Sequence, residues 1–269
     1  DGLVASRVCG VRVVIKGSYQ ILSVAAAAEV AQAVRAKPNL VLGLATGSSP
    51  LGIYQELIRL HRVEGLDFSQ VTTFNLDEYV GLAPDHPQSY HAFMREHLFQ
   101  HINVSAERTH VPVGISEDYV AYCRSYEEQI SAAGGIDLQL LGIGRDGHIG
   151  FNEPGSSLGS RTRLKTLTAQ TIEDNARFFD HPEEVPRFAV TMGVATILDA
   201  RRVLLLASGK KKAKAIARSV EGPISSMWTA SALQLHADTT VFLDHKAARK
   251  LTQLEYYHWI EQQAADVSP

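Results

Sequence analysis

The chain has 269 residues, 45% of them hydrophobic and 20% charged, and a formal net charge of −3. That length can bury a large core, as one large domain or two small ones. The near-neutral charge argues against a general nucleic-acid or anionic-membrane binder, and no apolar run is long enough to span a bilayer as a helix.

At the N-terminus, DGLVASRVCGVRVVIKG (1–17) has neither an h-region nor an A-x-A site and is a poor signal peptide. Residues 1–10 are unpatterned and read as an extension ahead of a domain over 11–265. The two cysteines, Cys9 and Cys123, show no metal-ligand spacing and read as reduced thiols of a cytoplasmic protein. NLVLGLAT (39–46) predicts a buried strand, GSSP a loop, and LGIYQELIRLHRV (51–63) a helix. VTTFNL (71–76) predicts a second strand and SYHAFMREHLF (89–99) a helix opened by a serine cap. DYVAYCRSYEEQISAAGG (118–135) predicts a helix stopped by glycines, and IDLQLLGIG (136–144) a third strand. RFAVTM (187–192), RRVLLLAS (201–208) and TTVFLD (239–244) predict further strands. KKKAKAIARSVEG lies between the last two as a helix, and a final helix covers roughly 245–264. Near-continuous apolar strands separated by helices indicate an open, mostly parallel α/β sheet with helices on both faces. Residues 166–186 carry no clear period and are expected to form a lid.

Ligands of open α/β sheets bind at the carboxyl ends of strands, and the polar clusters fall there. ATGSSP offers Thr46, Ser48, Ser49 and the backbone at Gly47 before a helix. That combination suits a phosphate, and equally an ordinary capping turn. SGKKKAKA puts four lysines near a helix start, where cations oppose the helix dipole unless an anion sits there. Lys212 is the one expected to point inward; the alternative is a solvated cationic face. In FNLDEYVGL, Asp77 is either a turn cap beside a solvated Glu78 or a base held at the rim. In GIGRDGHIGFNEP (142–154), His148 is either structural or an acid/base group oriented by Asp146 and Glu153. Asp-x-His with a later Glu is not a zinc spacing, so no metal is expected.

LATGSSPLGIYQEL, FNLDEYVGL, GIGRDGHIGFNEPGSSLGSRTRLKTLT, ARFFD and SVEGPISSMWTASALQLH together resemble the glucosamine-6-phosphate deaminase family, over about residues 11–260. The resemblance implies a Rossmann-like α/β fold. It implies conversion of glucosamine 6-phosphate and water to fructose 6-phosphate and ammonia, with no metal or organic cofactor. By resemblance, Asp77 is the general base and His148 the ring-opening acid/base, tuned by Asp146 and Glu153. Thr46, Gly47, Ser48, Ser49, Arg177 and Lys212 resemble the phosphate site. Ser156, Arg163, Lys165 and Thr166, with Tyr256 or Tyr257, resemble the activator site for N-acetylglucosamine 6-phosphate found in allosteric members, and a homo-oligomer, a hexamer, is expected with it. Two rivals stand beside this reading. A 6-phosphogluconolactonase shares the phosphate loop but needs no base for a C–H bond. A sugar-phosphate sensor could dispense with Asp77, Asp146, His148 and Glu153, all of which are present here.

Overall fold

The computed structural model describes residues 10–267. Strand β1 is Gly10–Lys16, helix α1 Tyr19–Ala36, β2 Val41–Leu44, α2 Leu51–Glu64, β3 Thr72–Asn75, β4 Asp77–Tyr79, α3 Tyr90–His97, β5 Thr109–His110, α4 Tyr119–Ala132 and β6 Leu138–Leu141. They are followed by β7 Arg163–Thr166, α5 Ala169–Asn175, β8 Phe188–Thr191, α6 Val194–Leu198, β9 Val203–Ala207, α7 Ala213–Val220, β10 Asp238–Asp244, α8 His245–Ala248 and α9 Leu254–Val267.

Seven strands form one sheet in the order β1-β10-β9-β6-β2-β3-β5, and every neighbouring pair is parallel. The central strands β2, β6 and β9 are buried at every position, which requires cover on both faces. Successive side chains of a strand face opposite sides. Val41, Leu141 and Leu205 accordingly pack with Tyr126 and Ile130 of α4 and Ile216 of α7. Leu42, Leu140 and Leu204 pack on the other side with Leu22 and Val30 of α1 and Ile53 and Leu57 of α2. Each fully buried leucine contributes roughly 1.5–3 kcal/mol by leaving water. The expected fold class is therefore found. No described helix is long and apolar enough to cross a membrane.

Several features differ from the sequence expectations. Two elements, β1 and α1, precede the first predicted strand. The strand is interrupted by charges at Arg12 and Lys16, and α1 is so rich in alanine that its polar stripe is faint. The chain bends at Leu76, so the predicted strand 71–76 gives way to β4, which joins a separate antiparallel sheet in the order β4-β8-β7. Leu76 bonds to both sheets: its N–H donates to Leu44 O at 3.0 Å and its carbonyl accepts from Met192 N at 2.7 Å. The segment 166–186 is not patternless. It holds α5, whose N-cap Thr168 accepts from Thr171 N, and two short 3-10 turns. The predicted final helix is broken into α8 and α9, because the Glu221 carboxylate takes the N–H groups of Thr252 and Gln253 and starts a new helix there. Residues 1–9, including Cys9, lie outside the described residues, and β1 begins at Gly10. Cys123 is a buried free thiol.

Candidate active site

From β2 the chain steps outward to β3 and β5, whereas β6, β9 and β10 step the other way. The switch point between β2 and β6 opens a crevice at the strands' carboxyl ends, where such folds bind ligands. A cleft of about 700 Å³ lies there. Thr46, Gly47, Ser48, Ser49, Asp77, His148, Arg177 and Lys212 all line it, while Asp146 and Glu153 stand behind His148.

Asp77 opens β4, opposite Thr191 of β8. Only 6% of it is exposed. Burial, and next the charge of Glu78, push its carboxyl up to about 8, against a lowering by His148. Glu78 is not the solvated neighbour that the turn-cap alternative supposed. It is fully buried, and its carboxylate accepts the N–H groups of Tyr79, Tyr90 and His91 at 2.8–3.2 Å.

His148 sits on the loop after β6. Its Nδ1 lies 2.8 Å from Asp146 Oδ1 and 3.3 Å from Glu153 Oε2. One N–H cannot point at both oxygens, so the contact is a forked ion pair, and Nε2 is left as the nitrogen available to a ligand. Burial lowers the imidazole's affinity for a proton, but its close contacts with the Asp146 and Glu153 carboxylates outweigh it and raise His148 to about 9. Asp146 feels burial in the opposite direction, yet His148 holds its carboxyl below the ordinary value. The glycines make this packing possible. A Cβ on Gly144 would lie 2.5 Å from the His148 ring and 2.6 Å from Asp146 Oδ1. Gly147 has φ +83°, a region that favours glycine, and a Cβ there would lie 2.6 Å from the Trp228 ring. Among the described residues, Asp146, His148 and Glu153 form the one group close enough to hold a metal, their donor atoms lying within 4.8 Å of one another. A metal needs a free imidazole nitrogen, whereas His148 retains its proton at neutral pH, so the trio suits an ion pair better.

The β2–α2 loop turns at Gly47, and no side chain caps α2. Tyr19 braces the loop: its hydroxyl lies 3.0 Å from Ser48 O and 3.1 Å from Ser49 O and accepts from Gly52 N at 2.8 Å. Of the lysine run, Lys210 and Lys211 are exposed, while Lys212 is half-buried and donates to Ile143 O at 2.5 Å. Burial lowers the pKa of Lys212. Asp244 anchors this loop by accepting from Ser208 Oγ at 2.7 Å and Gly209 N at 3.0 Å. Arg177 lies within residues 166–186, over the Phe178 ring. The segment is tied down by an Arg145–Asp174 ion pair at 3.0 Å and by Thr168 N–H donating to Glu153 at 3.1 Å. The sequence reading did not single out Tyr19, Tyr90, Asp174, Asp244 or Lys246 as site residues. Only the position of Asp244 at the end of an apolar strand could have flagged it.

Residues 19–242 match the family of glucosamine-6-phosphate isomerases/6-phosphogluconolactonase. The chain belongs to that family. Within it, a glucosamine-6-phosphate deaminase of Hahella chejuensis is 53% identical over 95% of this chain and 98% of its own. One from Shewanella woodyi is 56% identical over 85% and 86% of the two chains. A solved structure described as a monomeric glucosamine-6-phosphate deaminase superposes with a TM-score of 0.87 at 50% identity, covering 89% of this chain and 99% of that one. The 6-phosphogluconolactonase of Trypanosoma brucei, at 22% identity and a TM-score of 0.73, shares the fold.

The remaining family-derived candidates lie apart from the cleft. Arg163 and Lys165 share one face of β7, an edge strand, with Leu164 between them 44% exposed. Arg163 is half-buried and donates to Asn152 Oδ1 at 2.9 Å, so its guanidinium is engaged with the active-site loop. Ser156 is buried and Thr166 exposed. Tyr257 reaches Glu221 at 3.2 Å, and Tyr256 is exposed.

Proposed function

We propose that this chain isomerises and deaminates D-glucosamine 6-phosphate to D-fructose 6-phosphate and ammonia. One observation carries the reading. A buried carboxylate, Asp77, shares a cleft with an imidazole backed by two carboxylates, in a chain about half identical to deaminases over nearly its whole length.

In this reading His148 starts as the imidazolium and gives a proton to the ring oxygen as O1 surrenders one, which leaves the open aldehyde and a recharged imidazole. The carbonyl acidifies the hydrogen on C2. Asp77, a stronger base than an ordinary carboxylate because it is buried, takes that proton to give an enolamine and returns it to C1. The ketimine formed at C2 adds water and loses ammonia. Atoms balance with one water consumed, and no oxidant, reductant or metal is called for. Thr46, Gly47, Ser48, Ser49, Arg177 and Lys212 hold the phosphate and so fix C1 and C2 against the base. Residues 166–186 act as a lid, supported by their ties to Arg145 and Glu153. A doubly charged sugar phosphate is retained inside cells, which favours a cytoplasmic location.

Ser156, Arg163, Lys165 and Thr166 form the regulatory part of the reading, an activator site for N-acetylglucosamine 6-phosphate in a hexamer. The two cations on one face of β7 support it. The monomeric description of the relative at 50% identity weighs against the hexamer.

Purified protein given glucosamine 6-phosphate should release ammonia and fructose 6-phosphate in equal amounts, and activity should survive exhaustive dialysis against EDTA. Hydrolysis of 6-phosphogluconolactone with no ammonia from the amino sugar would overturn the assignment.

A further inference from the structure

Alternation along β4 sends Asp77 into the cleft and Glu78 to the opposite face. There Glu78 meets the start of α3. Its Oε1 accepts from Tyr79 N at 2.8 Å and Tyr90 N at 3.0 Å, and its Oε2 accepts from Tyr90 N at 2.8 Å and His91 N at 3.2 Å. Ser89, the N-cap, takes the next amide, Ala92 N, at 3.0 Å. A single-turn cap would need only Ser89. The additional carboxylate, from a strand 12 residues earlier in the chain, bolts the first turn of α3 to the strand that carries Asp77. Tyr90, the first residue of that turn, lines the cleft beside Asp77 and is packed by Tyr79 at 4.9 Å and Phe151 at 6.2 Å between ring centres.

We propose that Glu78 is a positioning residue for the reaction: it holds Tyr90 against the base strand and places its carboxylate charge next to Asp77. The inference rests on the reading of Asp77 as the base.

A fully buried carboxylate is costly unless its lone pairs are met. Backbone amides at a helix N-terminus meet them and favour the charged form. Burial nonetheless pushes Glu78 up to about 7, against the lowering by those amides. Glu78 therefore becomes charged as pH rises past about 7 and is charged where Asp77 titrates, at about 8, so it opposes ionisation of Asp77. The groups facing Asp77 are Glu78 and Tyr79 of β4, His148 of the loop after β6, Tyr90 of α3 and Tyr126 of α4. Those facing Glu78 are Tyr79, Tyr90, His91 and Tyr122. Burial raises all these tyrosines and lowers His91, so they stay neutral near pH 7. Glu78 and His148 are then the charges that act on Asp77.

The test measures kcat and kcat/KM against pH for the wild-type enzyme and for Glu78→Gln, Glu78→Asp and Ser89→Ala. Glu78→Gln removes the charge at nearly constant size, so the acid limb of kcat/KM should move down by roughly one pH unit or more. Glu78→Asp keeps the charge but shortens the reach to α3. Its acid limb should stay in place while plateau kcat falls about tenfold or more, as expected when a cleft group is misplaced. Ser89→Ala weakens the same helix end without touching the charge and should leave the acid limb unmoved. The proposal fails if Glu78→Gln keeps the wild-type limb, or if Ser89→Ala reproduces the shift. Should Glu78→Gln not fold, Glu78→Asp decides, because a wild-type plateau in that variant overturns the positioning role. Full turnover by Asp77→Asn would instead remove the base reading itself, whatever the Glu78 variants do.

Discussion

Among the described residues, Asp77 has no hydrogen-bonded cation to stabilise its charge; burial and Glu78 both disfavour the ionised form, and His148 only partly offsets them. This is a poor way to stabilise a protein and a useful way to make a base. Asp77→Asn should therefore separate the two. Loss of a positioned base typically costs about 10²–10⁴-fold in rate, and ammonia release by a folded Asp77→Asn protein should drop by that much. The same variant should be the more stable one at alkaline pH. A carboxyl raised in the folded state stabilises only while protonated, and that stability is lost as pH rises from the ordinary aspartate value through about 8. Asparagine cannot ionise, so a gain on the order of 1 kcal/mol or more is expected at pH 9 and none at low pH. Thermal midpoints of both proteins at pH 5 and pH 9 check this; equal midpoints at pH 9 would show that Asp77 is not strained. His148 titrates in the opposite sense for activity. If its imidazolium is needed, kcat/KM falls as pH passes about 9. Asp146→Asn removes a charge that raises it, so that alkaline limb should move to lower pH. A limb that stays in place would assign it to another group.

Among the elements, the loops at the ends of β2, β6 and β9 were legible because each follows an apolar run that stops abruptly in polar, glycine-rich sequence. His148 and Lys212 could be placed on one rim by that logic, and Asp77 by its place just past the end of β3. The three-residue β4 could not, since no period is visible in so short a stretch. The burial of Glu78 was equally hidden, for its partner amides come from a helix whose start says nothing about which distant acid will cap it. The break between α8 and α9 depends on Glu221, a residue that reads as one more charge in a helical tail. The element most exposed to test is the proposed phosphate rim. Lys212, set apart from its exposed neighbours, and Arg177, within residues 166–186, should each supply a charge-assisted contact worth roughly 1.5–3 kcal/mol. Lys212→Ala and Arg177→Ala should raise KM for glucosamine 6-phosphate by about 10- to 150-fold on that basis. Lys211→Ala, at an exposed position, should change it little. An equal effect from Lys211 would mean that the rim acts only as a diffuse positive field.

For the whole molecule, the open question is whether the cleft is coupled to a second anion site. Arg163 touches both candidates: it lies on the edge strand β7 with Lys165, and it holds Asn152, which in turn donates to Ile149 O and Met192 O. Glu153, next along, contacts His148 and accepts from Thr168 at the start of α5. An anion drawing Arg163 away from Asn152 would therefore loosen or re-seat the loop that carries the histidine's partner. Coupling of this kind is typically worth about 1–3 kcal/mol, or roughly 5–150-fold in affinity. An anion site on an edge strand would gain walls from a neighbouring subunit, so on this reading activation and assembly should appear together. Light scattering at assay concentration, with substrate saturation measured with and without N-acetylglucosamine 6-phosphate, tests both. A hexamer whose half-saturation falls with the activator, and whose Arg163→Ala variant no longer responds to it at any activator concentration, is the expected result. A monomer with hyperbolic kinetics indifferent to the activator would leave Arg163 with a single task, bracing Asn152; Arg163→Ala should then lower stability and turnover together.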